Sequence, residues 1–168
     1  YQVYWDMSVE DFFKRMRKEH QRFWNQKRLD QAKAIGMTPE EVCTLASIVE
    51  EETNNNPEKP MVAGLYINRL HAGMPLQADP TVKFALQDFG LRRITNEHLT
   101  IDSPYNTYRN PSLPPGPIRI PSPVGLDAVL NHAKHNYIYM CAKEDFSGTH
   151  NFASNYADHM KNARKYWK

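Results

Sequence analysis

The chain has 168 residues, which is the size of one ordinary domain and enough to bury a core without disulfides or metal ions as staples. Its 21 basic and 19 acidic residues give a net charge of +2, too balanced a value to indicate nucleic acid or anionic lipid as a partner. No apolar run approaches the roughly 18–20 residues of a membrane-spanning helix, so we expect no bilayer span within this chain.

The first part of the chain is predicted to be helical. Ser8, followed three positions later by Asp11, is typical of a helix N-cap, and apolar residues recur after it at near-helical spacing. Gly36 is suited to end this helical region. The opening YQVYWDMSVEDFF lacks a signal-peptide pattern and reads as a boundary inside a longer protein. We therefore expect residues 1–37 to form a segment and helix leading in from an upstream region, and residues 38–168 to form the main domain.

The next helix has the clearest start in the sequence. Thr38 is a good N-cap, Pro39 suits the first helical position, and Glu41 follows at the third. Two further helices are predicted from about Pro60 to His71 and from Asp79 to near Gly90. The helix that begins at Pro39 is expected to bury one face, because its apolar residues fall at i, i+3, i+4 and i+7: Val42, Leu45, Ala46 and Val49.

The C-terminal part combines a long loop, a hairpin and two helices. Proline recurs through Ser103–Pro123 and removes backbone donors, so neither a helix nor a central strand is expected there. Ser122-Pro123 begins a helix through about His132, and a last helix runs from Ser154 through Trp167. Tyr137–Ala142 and Thr149–Ala153 are predicted to pair as a hairpin. The predicted fold class is α+β, with several helices packed with a small antiparallel β-sheet in a single domain.

Three adjacent acids, Glu50 to Glu52, are the sharpest anomaly of the sequence. They lie near the C-terminal end of a predicted helix, where negative charge opposes the helix dipole. At about 100° per residue, Glu51 points away from the apolar stripe, whereas Glu50 and Glu52 fall on its two flanks. A carboxyl group at such a boundary is partly desolvated, and the raised pKa that results suits a general acid. The helical wheel does not separate Glu50 from Glu52, and a solvated acidic turn is the plainer interpretation.

Other candidate chemistry is weaker. Cys43 and Cys141 show no CxxC spacing, and they would be either one disulfide or two buried thiols. His132-x-x-His135 lacks a carboxylate at ligand spacing, so we predict no metal site. The proline-rich loop carries aromatic and amide side chains that suit a sugar, through stacking and hydrogen bonds. The same side chains suit an ordered cover over the core equally well.

Five blocks of the sequence occur in the order of a known family. They are LASIVEEET (Leu45–Thr53), GLYINRLHAGMPLQADPTV (Gly64–Val82), YNTY (Tyr105–Tyr108), LPPGPI (Leu113–Ile118) and the closing hairpin with His150 and Phe152. Over roughly residues 38–155 the chain resembles the catalytic domain of the endolytic murein transglycosylases, the MltG/YceG-like family. Two departures, at Ser112 and at Ser122-Pro123, bear on the path of the loop more than on the chemistry.

The resemblance implies a catalytic glutamate in the A-S-I-V-E string, which is Glu50. One cleft is expected to hold Glu50, Gln77, Tyr105 and Asn106, with Glu51 outside it. The family implies a peptidoglycan glycan strand as the substrate, no cofactor and no metal, and peptidoglycan synthases (penicillin-binding proteins) as partners. Seven residues fall on motif positions implied to bind the glycan: Gln77, Asp79, Thr81, Tyr105, Asn106, Tyr108 and His150.

The resemblance also implies a cellular location. Family members carry an N-terminal membrane anchor and a small LysM-like domain ahead of the catalytic domain. The full protein would thus resemble an inner-membrane enzyme on the periplasmic face, attached to the membrane only through an anchor absent from this chain.

A single strongly indicated carboxylate suits a lytic transglycosylase, since an ordinary glycosidase needs two. Glu50 would protonate the glycosidic oxygen between N-acetylmuramic acid and N-acetylglucosamine. It would then deprotonate the muramoyl 6-hydroxyl, which closes a 1,6-anhydro ring and limits strand length. The alternatives are a muramidase, with Asp79 as the second carboxylate and water as the nucleophile, and a glycan-binding module without turnover. A pyridoxal phosphate lyase is disfavoured, because no lysine is accompanied by a phosphate-binding loop.

Overall fold

The computed structural model describes residues 2–91 and 93–166, so Trp167 of the predicted last helix lies outside the described residues. These ranges form seven α-helices, a short 3-10 helix (His98–Thr100) and a two-stranded antiparallel sheet, which confirms the predicted α+β class. None of the described helices is both long and apolar enough to cross a bilayer. The elements are α1 (Val9–Phe23), α2 (Gln26–Ala34), α3 (Pro39–Glu52), α4 (Lys59–His71), α5 (Asp79–Leu86), α6 (Pro123–Leu130), β1 (Tyr139–Ala142), β2 (His150–Ala153) and α7 (Tyr156–Tyr166).

The chain divides into two compact units, residues 1–39 and residues 40–168. The sequence predicted a helical region up to Gly36, and the first unit forms it as two helices, α1 and α2. Asn25 causes the break, because its side chain accepts a hydrogen bond from the Arg28 amide at 3.1 Å and so caps α2. Asparagine competes in this way for backbone donors, which favours a helix start over a helix interior.

The core of the second unit is built on α3 and α4. In α3 every residue from Thr44 to Glu50 is buried, and in α4 every residue from Val62 to Ile67 is buried. Helix α4 also packs against α6. The sequence predicted a single buried stripe for α3, but burial extends around its polar side as well. The reason is that a loop from a distant part of the chain packs over this side of α3.

Residues 103–123 supply that cover over the polar side of α3. The Ser47 hydroxyl accepts a hydrogen bond from the Ile118 amide at 3.0 Å. About one turn further along α3, the Glu50 carboxylate accepts hydrogen bonds from the Ser122 amide, at 3.2 Å to Oε2, and from the Ser122 hydroxyl. The proline-rich loop is therefore an ordered cover, held against α3 by side chains of that helix.

Helix α6 begins at this contact. Ser122 is its N-cap and accepts a hydrogen bond from the Gly125 amide at 3.2 Å. The Glu50 carboxylate thus lies at a helix N-terminus, where the helix dipole favours negative charge. Gly125 provides the room, since a Cβ at that position would lie 2.6 Å from Glu50 Oε1. Glu50 thereby joins α3 to α6.

The predicted hairpin closes the second unit. Met140 of β1 pairs with Phe152 of β2, and Cys141 pairs with Asn151. Helix α7 packs against both strands. Cys141 and Cys43 are both free thiols, so the unpaired interpretation applies, and burial raises the pKa of each.

Gly125→Ala is expected to destabilise the protein by about 1–3 kcal/mol, the usual cost of overpacking. The added methyl group would lie 2.6 Å from Glu50 Oε1 and 2.9 Å from its Cδ, so the carboxylate must leave Ser122. The loss of the hydrogen bonds from Ser122 to a buried carboxylate adds to the overpacking. It offsets the roughly 1 kcal/mol by which alanine favours a helix over glycine, so the net loss stays at about 1–3 kcal/mol. The free energy of unfolding in urea measures the effect.

Gly90→Ala is the matched control for this substitution. The nearest atom to a Cβ at Gly90 is 3.6 Å away, which is ordinary contact, so stability should change by no more than about 0.5 kcal/mol. A Gly125→Ala protein as stable as the control would contradict the close approach of Glu50 to α6.

Candidate functional site

A cavity of about 390 Å³ opens in the second unit. Its walls come from α3, α4, α5, the loop before α6, the hairpin and α7. Both apolar and polar side chains line it, as is usual for a ligand site. Its polar residues include Glu52, Arg69, Gln77, Asp79, Tyr108 and His150. We call this the main cavity.

Glu52, the last residue of α3, presents a carboxyl group to the main cavity. Burial raises the pKa of Glu52 to about 7, and the negative charges of Asp79 and Glu51 act in the same direction. A hydrogen bond donated by the Tyr66 hydroxyl to Oε1, at 2.7 Å, and the nearby His150 lower the pKa but do not offset burial. Glu52 therefore exchanges a proton near neutral pH, as a general acid and base requires.

Glu50 lies in a different environment, two residues earlier on α3. Its side chain is only 6% exposed and is absent from the wall of the main cavity. Burial alone would raise its pKa, but the Ser122 hydroxyl and amide and the cations of Lys59 and Arg119 lower it below the ordinary value. The Lys59 ammonium is 3.5 Å from Oε1, and Arg119 Nε is 3.8 Å from Oε2. Glu50 is thus a buried, ionised group whose carboxylate is already engaged.

Glu51 completes the run and points outward. Its side chain is 43% exposed, and its Oε1 lies 2.8 Å from Arg119 Nη1. Glu51 does not line the main cavity. Three consecutive glutamates therefore have three environments: a buried ion pair, a surface ion pair and the main cavity.

Arg69 of α4 supports one wall of the main cavity. Its guanidinium donates hydrogen bonds to the carbonyls of Ile138, Pro75 and Leu76 at 2.7–3.0 Å and to Gln77 Oε1 at 3.2 Å. Sequence reasoning missed Arg69. The available signal was a charged residue four positions after Leu65, on the buried side of a helix.

Gln77 is held in a strained backbone conformation. Its φ of 53° lies in the left-handed region, which is uncommon for a residue with a side chain. The Gln77 amide donates to the Thr107 carbonyl at 3.1 Å, and the Ala78 amide donates to Thr107 Oγ1 at 3.0 Å. Thr107 Oγ1 also shares a hydrogen bond of 2.8 Å with Thr81. The LQADPT and YNTY motifs therefore form one hydrogen-bonded unit beneath the cavity.

Thr81 and Asn106 belong to this unit and are completely buried. The Asn106 side chain donates to the carbonyls of Leu99 and Ile101 at 2.9 Å and accepts from the Tyr108 amide at 3.0 Å. Neither Thr81 nor Asn106 lines the main cavity. Their hydrogen bonds hold in place the residues that line it.

Tyr108 and Asp79 form a pair at the wall of the main cavity. The Tyr108 hydroxyl donates to Asp79 Oδ1 at 2.6 Å, and burial together with Asp79 raises the pKa of Tyr108. Asp79 is exposed to the cavity. Tyr105 lies elsewhere, with its ring 4.7 Å from that of Phe84, and does not line the main cavity.

His150 is held in place by Glu58. The His150 amide donates to Glu58 Oε1 at 2.6 Å, and the ring Nδ1 lies 3.0 Å from Oε2. The two side chains are 14% and 9% exposed. With Nδ1 directed to Glu58, the imidazole reaches the main cavity in a fixed orientation. Glu58 was also missed by the sequence reasoning.

The predicted site residues thus fall into two groups. Gln77, Asp79, Tyr108 and His150 line one cavity together with Glu52. The sequence predicted that Glu50 and Gln77 lie in one cleft. Gln77 lines the main cavity, whereas Glu50 lies outside it. No group of three or more His, Cys, Asp and Glu side chains suited to a metal ion occurs in the described part of the chain. The residues found outside the main cavity are Glu50, Thr81, Tyr105 and Asn106.

Known proteins are similar to this chain in sequence. The model of the YceG-like family matches residues 1–165. The endolytic murein transglycosylase of Bacillus subtilis (strain 168) is 35% identical over 161 residues, which are 96% of this chain and 44% of that protein. The endolytic murein transglycosylase of Streptococcus pneumoniae serotype 2 is 33% identical over 138 residues, 80% of this chain and 25% of that protein.

A solved structure is also similar. The crystal structure of a YceG-like protein from Listeria monocytogenes superposes with a TM-score of 0.82 at 34% identity, over 96% of this chain and 52% of that chain. The chain therefore spans less than half the length of the curated relatives it matches, and about half of the crystallised chain.

Glu52→Gln is expected to gain stability, relative to the unsubstituted protein, as pH rises. Between about pH 4.5 and 7 the folded protein keeps a proton on Glu52 that the unfolded chain releases, so ionisation opposes folding in this range. After allowance for solvent in the cavity, the relative gain between about pH 5 and pH 8 should be about 1–3 kcal/mol. Urea unfolding at a series of pH values measures it.

Glu50→Gln provides the matched contrast, with the opposite sign. The pKa of Glu50 is lowered, so its contribution to stability is present above its ordinary pKa and is lost as pH falls. The substitution should be most destabilising near neutral pH. In acid, the difference in the free energy of unfolding between the variant and the unsubstituted protein should become smaller. Slopes of the same sign for the two variants would contradict the environments assigned to Glu50 and Glu52.

Proposed function

The chain belongs to the YceG-like family, and we propose that it is the catalytic domain of an endolytic murein transglycosylase. The proposed substrate is a nascent peptidoglycan strand, cut at the β-1,4 bond between N-acetylmuramic acid and N-acetylglucosamine. Relatives that carry this name support the proposal. The observation that carries it is the carboxyl group of Glu52, which titrates near neutrality inside the main cavity.

Glu52 acts as acid and then as base in this mechanism. The protonated carboxyl gives its proton to the bridging oxygen as the bond between that oxygen and muramoyl C1 breaks, leaving an oxocarbenium-like centre. The resulting carboxylate takes the proton of the muramoyl 6-hydroxyl as O6 bonds to C1. The products are a free 4-hydroxyl and a 1,6-anhydro end, and no water is consumed. A single carboxyl group serves both half-reactions, so its pKa near 7 suits both roles.

The geometry favours Glu52 over Glu50 for the role that the family resemblance assigned to Glu50. A general acid must reach the substrate and carry a proton, and Glu52 meets both conditions in the main cavity. Glu50 is buried outside that cavity, and Ser122, Lys59 and Arg119 hold it ionised. Glu50 has a structural role in this scheme, as the link between α3 and α6.

The remaining cavity residues position the sugar and stabilise the developing positive charge. Gln77 offers an amide that Arg69 orients. Tyr108 donates to Oδ1 of Asp79, so Oδ2 of this carboxylate can accept a hydrogen bond from the substrate. His150 offers a ring nitrogen in an orientation fixed by Glu58. Donors and charges fixed in advance in this way stabilise a transition state without reorganisation.

A water-using muramidase is the second candidate, and one observation favours it. Asp79 lines the same cavity as Glu52, so a second carboxylate is present. The product distinguishes the two reactions, because hydrolysis leaves a reducing end and transglycosylation leaves an anhydro end that is lighter by one water. A glycan-binding module without turnover would give neither product. Mass spectrometry of digested glycan strands therefore separates all three functions.

The cellular setting follows from the same family resemblance. The full-length protein would act at the periplasmic face of the inner membrane, next to peptidoglycan synthases, and would limit the length of new strands. Release of anhydro-ended chains from strands made in the presence of a synthase would test this setting.

Glu52→Gln is expected to lower kcat by about 10²–10⁴ or more, because the same proton serves both steps. Glu50→Gln should retain anhydro-ended products, with a loss that follows its lower stability. Glu10→Gln in the first unit is the matched control and should be nearly silent, since its carboxylate is at the surface. Mass spectrometry of products and circular dichroism of each variant provide the measurements. A folded Glu50→Gln protein without activity, beside an active Glu52→Gln protein, would return the catalytic role to Glu50.

The rate should depend on pH through Glu52. The free enzyme must hold a proton on its acid, so kcat/KM should fall as pH rises above about 7. Initial rates of anhydro-end formation between about pH 5 and pH 9 measure this limb. A profile that stays level through pH 7 would rule out Glu52 as the group that donates the proton.

A further inference from the structure

A second groove of about 460 Å³ lies outside the main cavity, and the mechanism above does not use it. Its walls come from α3, α5 and the proline-rich loop. We call this the outer groove. The residues that matter here are Glu51, Lys83, Phe84, Phe89 and Arg119.

The outer groove adjoins the main cavity through two pairs of consecutive residues. Glu52 lines the main cavity and Glu51 lines the outer groove. Asp79 lines the main cavity and Pro80 lines the outer groove. Neighbouring Cα atoms are 3.8 Å apart, so the two spaces have a common border at each pair. A substituent that leaves a sugar in the main cavity at this border would enter the outer groove.

The charges of the two spaces differ. The main cavity holds the carboxyl groups of Glu52 and Asp79, whereas the outer groove has two cations against one carboxylate. Arg119 is paired with Glu51 at 2.8 Å. In the described ranges no carboxylate lies within ion-pair distance of Lys83. An anionic group would be accommodated better in the outer groove than in the main cavity.

The outer groove also has an exposed aromatic wall. The rings of Phe84 and Phe89 meet edge to face with centroids 6.4 Å apart, and Phe89 is 68% exposed. The Tyr105 ring also packs on Phe84, with ring centroids 4.7 Å apart. An apolar wall beside the Lys83 ammonium group fits a ligand that has both small alkyl groups and a carboxylate.

We propose that the outer groove binds the peptide carried by the muramoyl residue, with a peptide carboxylate at Lys83 and alanine methyl groups on Phe84 and Phe89. This rests on the proposed function, since it takes the glycan strand as the substrate. The sugars of such a strand are uncharged once the lactyl carboxyl group is joined to the peptide. The peptide is then the part of the substrate that supplies negative charge, and the outer groove is the part of the site that accepts it.

The test compares two substrates, glycan strands with their peptides and the same strands stripped of peptides by an amidase. The lactyl carboxyl groups that the amidase frees are converted to methylamides, so that the stripped strands stay uncharged. Binding is measured to the whole chain carrying Glu52→Gln, so that turnover does not interfere, alone and combined with Lys83→Glu. Lys83→Glu should weaken binding of the peptide-bearing strands about 5–10-fold and leave that of stripped strands unchanged. Lys83→Arg should restore binding, and Phe89→Ala should weaken it for the peptide-bearing strands alone.

Lys18→Glu, the same charge change in the first unit, is the matched control and should alter neither substrate. An equal loss for both substrates would mean that the outer groove holds a sugar, and no loss for either would mean that it holds nothing; both results overturn the proposal. Cleavage of both substrates by the chain with Glu52 intact is measured in parallel. Absence of anhydro ends there would reject the proposed function, whereas the binding comparison reports on the outer groove alone.

Discussion

The contact between the Glu50 carboxylate and the first turn of α6 determines how the rest of the second unit is arranged. A charged side chain at 6% exposure is tolerated only when hydrogen bonds and opposite charges replace its water. Ser122 supplies two hydrogen bonds, Lys59 and Arg119 supply positive charge, and the start of α6 supplies a favourable dipole. Because these partners come from distant parts of the chain, satisfying one carboxylate fixes α3, α6 and the covering loop together.

This fixed frame explains why the next carboxyl groups along α3 can differ so much. Each residue advances about 100° around the helix, so the three glutamates face three different neighbours. The environment of Glu50 stabilises charge and that of Glu52 opposes it, and the pKa values move in opposite directions. The helix that Glu50 fixes in place thus carries a protonatable glutamate two residues later.

The sequence predicted the parts of the fold that depend on neighbouring residues. The start of α3 at Pro39, the N-cap at Ser122 and the hairpin follow from local rules and are present. The break at Asn25 was missed, because an asparagine in a polar stretch has no distinctive spacing. The choice between Glu50 and Glu52 could not be made either, since it depends on Ser122 and its neighbours about 70 residues away.

The motif residues show the same division between contact and support. Gln77 lines the main cavity, whereas Asn106 is fully buried beneath it, although both belong to the blocks that carry the family resemblance. Gln77 has a left-handed backbone conformation, which costs free energy. Hydrogen bonds to Thr107 and from Arg69 offset this cost. A motif therefore marks residues that the site needs, without distinguishing those that touch the substrate from those that hold them. That distinction depends on which side chains reach the cavity, and this follows from the packing of α3, α4 and the loop rather than from the spacing of the motif.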